Sequence, residues 1–265
     1  MRLAWATDVH LNFVPSQKRF AFYDRIRGGI PDALLLGGDI GEADTVTRLL
    51  KEMAATLKIP IYFVLGNHDF YRGSIAEVRR AVLRDTGDSP YLHWLPASGV
   101  VELTAATALI GHDSWADGRC GDFFRSDVML NDYLLIRELK GLTKQALYAK
   151  LNGFGDEAAE FLERRANEAL AVRRNVIVLT HVPPFREACW HEGRISDDDW
   201  LPHFACRAVG DRLAALMRAR PDFGMKVLCG HTHGSGIARI LPNLVVSTGG
   251  AVYGEPVIQD VWEVE

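Results

Sequence analysis

Apolar residues along this chain come in short runs that stop abruptly at glycine or at a polar side chain. Seven such runs are LAWATD, ALLLGGD, IYFVLGN, TALIGHD, VIVLTH, KVLCGH and LVVSTGG. Each has the length of a strand and is rich in Val, Ile and Leu on successive positions, which predicts central strands covered on both faces. Patterns of helical period lie between them. Val46, Leu49, Leu50, Met53 and Leu57 repeat at helical spacing ahead of Pro60, and IAEVRRAVLRDTG follows suit and closes on Gly87. DEAAEFLERRANEALAVRR carries acidic residues in its first turn and arginines in its last, as the helix dipole favours. CRAVGDRLAALMRARP ends before Pro221. This alternation predicts a layered α/β domain. The tail, from GIARILPNLVVSTGG to PVIQDVWEVE, reads as strands without helices and adds antiparallel pairing. Residues 112–153 and 181–206 show no regular pattern, and long irregular segments in a compact domain are often functional. The prediction is one domain over residues 1–265 with loop insertions at about 112–153 and 181–206.

Composition narrows the class. With 48% hydrophobic and 24% charged residues, the chain has the balance of a soluble globular protein. A net charge of −4 lacks the basic excess of a dedicated nucleic-acid binder, so nucleic acid is a possible but disfavoured partner. The first apolar run stops at Asp8, too short for a signal-peptide core. No apolar stretch approaches the roughly 18 residues of a membrane span. Cys120, Cys189, Cys206 and Cys229 are scattered with no CxxC pair, which suits a reduced compartment. A soluble cytoplasmic protein is expected, of an oligomeric state on which the sequence is silent.

The polar residues gather where the runs stop. Asp8 and His10 follow the first, Asp39 the second, and Asn67, His68 and Asp69 the third; later runs end in His181, and in His231 and His233. In open α/β sheets, ligand sites lie outside the carboxyl ends of the strands. Two carboxylates, an amide oxygen and four imidazoles, with no thiolate, suit Mn, Fe, Zn or Co better than Mg or Ca. In extended backbone, residues i and i+2 share a face, so Asp8 and His10 can converge on one ion. Seven ligands are too many for one tetrahedral ion but suit two ions that share a carboxylate roughly 3.5–4 Å apart.

The ordered series D-x-H, GD, GNHD, a later His and GHTH resembles the calcineurin-like metallophosphoesterase superfamily over residues 8 to 233. The resemblance implies an αββα sandwich, two mixed β-sheets flanked by helices. It further implies that Asp8, His10 and His233 hold the first metal, that Asn67, His181 and His231 hold the second, and that Asp39 bridges both. His68 would face the substrate and stabilise or protonate the leaving oxygen, with Asp69 orienting its ring. A water or hydroxide between two transition-metal ions (Mn, Fe or Zn, with Mn or Fe favoured) would attack phosphorus in line. GGDIGEAD and GNHD depart from the GD-x-x-D-R-G and GNHE of Ser/Thr phosphatases, and Glu42 stands where purple acid phosphatases place a tyrosine. What remains is similar to the broad bacterial phosphodiesterase-like branch. The expected function is hydrolysis of a phosphodiester in a nucleotide-like small molecule. The alternatives are a phosphomonoesterase acting on a small metabolite and a non-catalytic metal-binding module on the same fold.

Two further groupings have competing readings. Cys189, His191, His203 and Cys206 read C-x-H and H-x-x-C, which could hold zinc. The acidic run Asp197–Asp199 between them and the non-standard spacing favour a loop that leads into a helix. Trp115, Arg119, Phe123, Phe124, Arg125, Trp190, His191, Arg194 and Trp200 lie in the two irregular segments. They could stack on a base and pair with phosphate, but packing of the loops on one another is the better-weighted reading. His112 and Asp113 end a strand without a counterpart in the metal motif, so a structural role is expected.

Overall fold

The computed structural model describes residues 1–265. In chain order the first half runs β1 (Arg2–Ala6), α1 (Ser16–Gly28), β2 (Ala33–Leu36), α2 (Val46–Leu57), β3 (Ile61–Phe63), α3 (Ile75–Thr86), β4 (Leu92–Trp94), α4 (Leu95–Ser98), β5 (Val101–Glu102) and β6 (Thr107–His112). Next come α5 (Asp132–Leu135), α6 (Lys144–Val172), β7 (Asn175–Thr180), β8 (Trp190–His191), β9 (Arg194–Ile195), α7 (Leu201–Phe204) and α8 (Arg207–Arg218). The tail supplies β10 (Gly224–Cys229), β11 (Gly236–Leu241), β12 (Leu244–Thr248) and β13 (Asp260–Glu263).

Two mixed sheets form the body, ordered β13-β1-β2-β3-β4 and β11-β12-β10-β7-β6-β5. Within each, the central strands are parallel and the outermost pairs β13–β1, β5–β6 and β11–β12 antiparallel. The two-residue alternation of strand side chains divides each run between two apolar layers. Leu3, Trp5, Leu35, Leu109, Ile177, Leu179 and Leu228 meet between the sheets. Ala4, Ala6, Leu34 and Leu36 face α1 to α3 on one side, and Ala108, Ile110, Val176, Val178 and Val227 face α6 and α8 on the other. This is the αββα sandwich that the motif series implied, and it explains why the runs are apolar on successive positions. No helix is long and apolar enough to cross a membrane.

All seven predicted strands are present, and the tail pairs antiparallel as expected. Short elements not predicted are β4, α4 and β5, with α5, β8, β9 and α7 inside the segments expected to be irregular, and two of the longer helices differ. α1, over SQKRFAFYDRIRG, went unpredicted because its apolar face is interrupted by charge, with Phe22, Tyr23 and Ile26 buried but Phe20 exposed. α6 begins at Lys144, so the last ten residues of the expected 112–153 insertion are helical. Gly153 and Gly155 fall inside this helix. Gly155 lets the helix approach Asp117, where an added Cβ would sit 2.5 Å from the Asp117 Cβ.

Parallel register brings the carboxyl ends to one rim. Ala6 pairs with Leu36 and Leu36 with Phe63, so the segments carrying Asp8, Asp39 and Asn67 leave the first sheet side by side. In the second sheet His112 pairs with Thr180 and Leu179 with Leu228, which sets His181 beside the segment of His231 and His233.

Candidate metal centre

The strands stop before the polar residues begin, and the backbone then turns sharply. Asp8, His10, Asp39, His231 and His233 all have positive φ, between 40° and 70°. The extended alternation expected for Asp8 and His10 is therefore not what aims them; left-handed turns do. Asp and His tolerate this region better than most residues. Backbone hydrogen bonds beyond the strands hold the turns, from Asp8 N to Gly38 O (3.1 Å), His10 N to Asp39 O (2.9 Å) and Gly230 N to His181 O (2.8 Å).

One ligand set forms around Asp8, His10, Asp39 and His233, whose donor atoms lie within 4.8 Å of one another. His10 Nε2 is 3.2 Å from His233 Nε2 and 3.7 Å from Asp39 Oδ2, and His233 Nε2 is 3.6 Å from Asp8 Oδ1. Thr7 Oγ1 donates to Asp8 Oδ2 at 2.5 Å and the His231 N–H to Asp8 Oδ1 at 2.9 Å. Gly230 makes room for that carboxylate, since a Cβ there would lie 1.8 Å from Asp8 Oδ2.

A second set shares Asp39. His181 Nε2 and His231 Nδ1 each lie 2.9 Å from Asn67 Oδ1, and His181 Nε2 is 3.5 Å from Asp39 Oδ1. The remaining nitrogens are committed: His181 Nδ1 donates to Gly37 O and His231 Nε2 to His203 O, both at 2.9 Å. Asn67 Nδ2 donates to Asp132 Oδ1 at 2.8 Å, which turns Oδ1 inward. Three lone pairs thus meet with no proton among them, an arrangement that suits a cation and little else. The donor set therefore fits two metal ions that share Asp39.

Electrostatics agree with that fit. Burial is the largest cause of each shift. It pushes the Asp8 carboxyl up to about 7 and Asp39 well above the carboxylate range, with neighbouring carboxylates adding to both. Burial holds His231 and His233 down to about 4 and His181 well below the usual imidazole range. In the absence of a cation these shifts favour protonated carboxyls and neutral rings.

His68 stands beside both sets. Its N–H donates to Asp39 Oδ1 at 2.9 Å, and its Nε2 lies 4.0 Å from Asp39 Oδ2. The ring stacks on Tyr71 at 4.1 Å, and Nε2 meets the Tyr253 hydroxyl at 3.3 Å. Asp69 departs from expectation. Instead of reaching the His68 ring, its carboxylate accepts from the N–H groups of Ile40 (2.9 Å), Gly41 (2.8 Å) and Gly66 (2.9 Å). Three fixed backbone donors outcompete one ring N–H, and Asp69 ties the turn holding Asp39 to the turn holding Asn67.

The second grouping of Cys and His does not assemble. His203 Nδ1 binds the Tyr133 hydroxyl at 2.6 Å and Nε2 binds Ser126 Oγ at 3.1 Å, while His191 Nδ1 donates to Thr232 O at 2.9 Å. Cys189 Sγ lies 3.5 Å from Phe185 O, and burial raises the Cys189 and Cys206 thiols, the latter to about 12. The acidic run leads into α7, as the alternative reading had it: Asp197 O accepts from the Leu201 N–H at 2.9 Å. The loop aromatics mainly pack. Trp115 lies against Phe70 and Phe154, Phe123 against Tyr148, and Trp200 stacks on Phe204, while Arg119 is held by both oxygens of Asp156. Asp113 is structural, accepting from Leu65 N and Trp94 Nε1 and pairing with Arg79; His112 Nδ1 accepts from Ser114 N. Sequence reading missed Asp132, Tyr71 and Tyr253. Asp132 lay in an unpatterned segment, and neither tyrosine belongs to a motif.

Two outcomes are expected. Asp69→Asn should leave the Gly66 N–H facing an amide N–H, with a loss of about 1–3 kcal/mol in denaturant unfolding of the metal-loaded protein. The accompanying loss of turnover should not depend on the leaving group. Second, the gain in Tm on adding Mn²⁺ should be larger at pH 8 than at pH 6. A raised folded-state pKa means that the ionised carboxyls destabilise the metal-free fold as pH rises toward and through about 7, and a bound cation removes that penalty. The rings stay neutral in the folded protein with or without metal, so their contribution cancels in the difference.

The fold is shared with solved structures at low sequence identity. A phosphopantetheinyl hydrolase from Mycobacterium tuberculosis superposes with a TM-score of 0.66 at 13% identity, covering 95% of this chain and 89% of that one. A dimetal phosphatase from Danio rerio gives 0.57 at 15% identity, over 94% and 87% of the two chains. TT1561 of Thermus thermophilus gives 0.54 at 14%, over 94% and 88%. At such identities the likeness is one of fold. No characterised protein matches the chain significantly in sequence. The family model for calcineurin-like phosphoesterases matches residues 1–235, which takes in all seven predicted metal ligands and His68, and the chain belongs to that family.

Proposed function

We propose that this protein is a dinuclear-metal-dependent phosphoesterase that hydrolyses a phosphodiester of a nucleotide-like small molecule. The observation that carries the reading is the pair of ligand sets meeting at Asp39 with His68 at their open side. Asp8, His10, Asp39 and His233 would hold one ion, and Asp39, Asn67, His181 and His231 the other. When bound, the ions would supply an activated water and Lewis acidity toward the phosphoryl oxygens.

The chain's own residues do the rest. Asp39 holds both halves together and is itself fixed by the His68 N–H. Gly37 O and His203 O set the tautomers of His181 and His231 so that a lone pair faces inward. His68, kept in place by Tyr71 and Tyr253, presents Nε2 to the leaving oxygen. Of the residues lining the groove beside it, Arg72 is the one cation, and it is already paired with Glu42. A diester monoanion needs less positive charge than a monoester dianion, which favours the diester.

The deciding measurement compares bis-p-nitrophenyl phosphate with p-nitrophenyl phosphate, with Mn²⁺ and after metal stripping. Metal-dependent preference for the diester is expected; preference for the monoester would make this a phosphomonoesterase. Asp39→Asn should lose bound metal and turnover together. His68→Ala should keep its metal yet turn over a poor leaving group about 10²–10⁴-fold more slowly, with a smaller loss on an activated one. Full activity of metal-loaded His68→Ala on the poor leaving group would remove His68 from the reaction.

A further inference from the structure

Beside His68 opens a groove of about 480 Å³. One corner is aromatic. Phe13 and Tyr253 stand edge to face, with ring centroids 5.5 Å apart and planes at 88°. Both are unusually exposed for such side chains, 51% and 50%. Tyr253 is nonetheless held in place. It packs its ring on His10 at 4.5 Å and binds His68 Nε2 through its hydroxyl. Its segment is tied down where Ala251 N donates to His233 O and Arg25 Nη2 donates to Pro256 O. Asn131, Glu42 and Arg72 supply polar groups to the same lining.

Two rings at a right angle, one of them anchored, offer a planar ligand a face to stack on and an edge to abut. The polar residues offer amide, carboxylate and guanidinium groups to the rim of the same ligand. A nucleobase has that combination of an apolar face and a polar edge. The groove begins at His68, the residue assigned to the leaving oxygen, so a nucleoside leaving group would run into it.

We infer that Phe13 and Tyr253 form a base-binding subsite that selects nucleoside leaving groups. This rests on the phosphoesterase reading, and it adds where the base sits and which residues choose it. Stacking of a base on an aromatic side chain changes affinity by about 5- to 150-fold.

The test is calorimetric binding of AMP and of ribose 5-phosphate to the Mn²⁺-loaded protein, run beside bis-p-nitrophenyl phosphate hydrolysis by the same sample. AMP is expected to bind at least about 10-fold tighter than ribose 5-phosphate. Phe13→Leu and Tyr253→Leu should each bring that ratio below about 3. Using the ratio cancels any shared effect on phosphate binding at the metals, and Phe13 makes no hydrogen bond that its loss would disturb. A wild-type ratio near 1, or a ratio unchanged in both variants, would overturn the subsite while hydrolysis of the diester persists. Absence of hydrolysis in metal-loaded protein would instead count against the phosphoesterase reading itself.

Discussion

Lone pairs that meet without a proton between them are the constraint around which this protein is built. His181 Nε2, His231 Nδ1 and Asn67 Oδ1 converge at 2.9 Å, and Asp8 and Asp39 lie buried a few ångströms away. For the two rings and the amide oxygen no neutral arrangement is favourable, because each acceptor faces another acceptor. The strain extends to the backbone. Five of the seven candidate ligand residues sit in the left-handed region, at about 1–2 kcal/mol each for an L-residue. Both forms of strain gather at the ends of strands that are largely apolar, so the sandwich carries a costly rim.

What holds the rim is a second layer of buried hydrogen bonds, and three aspartates dominate it. Asp69 spans the turns after β2 and β3, Asp113 joins the turn after β3 to Trp94 and Arg79, and Asp132 fixes Asn67 and Tyr71. Each takes two or more donors, which is the condition under which a carboxylate can be buried. His203 plays the matching role from the 181–206 segment, with its ring held by Tyr133 and Ser126 and its carbonyl holding His231. The two segments without sequence pattern therefore supply the supports of the site more than its contacts with substrate.

That division explains what could be read from the chain alone. Central strands announce themselves because both faces are buried, and ligands do so because few reasons other than a metal place Asp, Asn and His at the ends of such runs. The sandwich was legible for the first reason, and the seven candidate ligand positions follow from the second. The turn geometry was not, since i, i+2 spacing fits extended and left-handed backbone alike. Nor was the role of Asp69. Its place next to His68 in GNHD suggested a partner for the ring, whereas its actual partners are two residues from the preceding turn and Gly66. α1 and the first turns of α6 were missed because exposed Phe20 and the paired glycines break periodicity for reasons that only tertiary contacts reveal.

The rim is closed unequally, and this shapes what it can accept. On the side of the second sheet, the Phe204 ring meets His231 edge-on at 5.5 Å and His191 reaches Thr232 between the paired histidines. That side is filled by the protein's own aromatics. On the side of the first sheet, His68 looks onto an open groove walled by exposed Phe13 and Tyr253. Under the proposed function a substrate would enter from the first-sheet side, with its leaving group over His68 and its phosphoryl group toward Asp39. On the 112–153 and 181–206 segments, Arg119 is spent on Asp156 and Arg186 on Asp198. With a net charge of −4 a long polyanion gains little, and the proposed function favours a small ligand with one flat, polar-edged substituent.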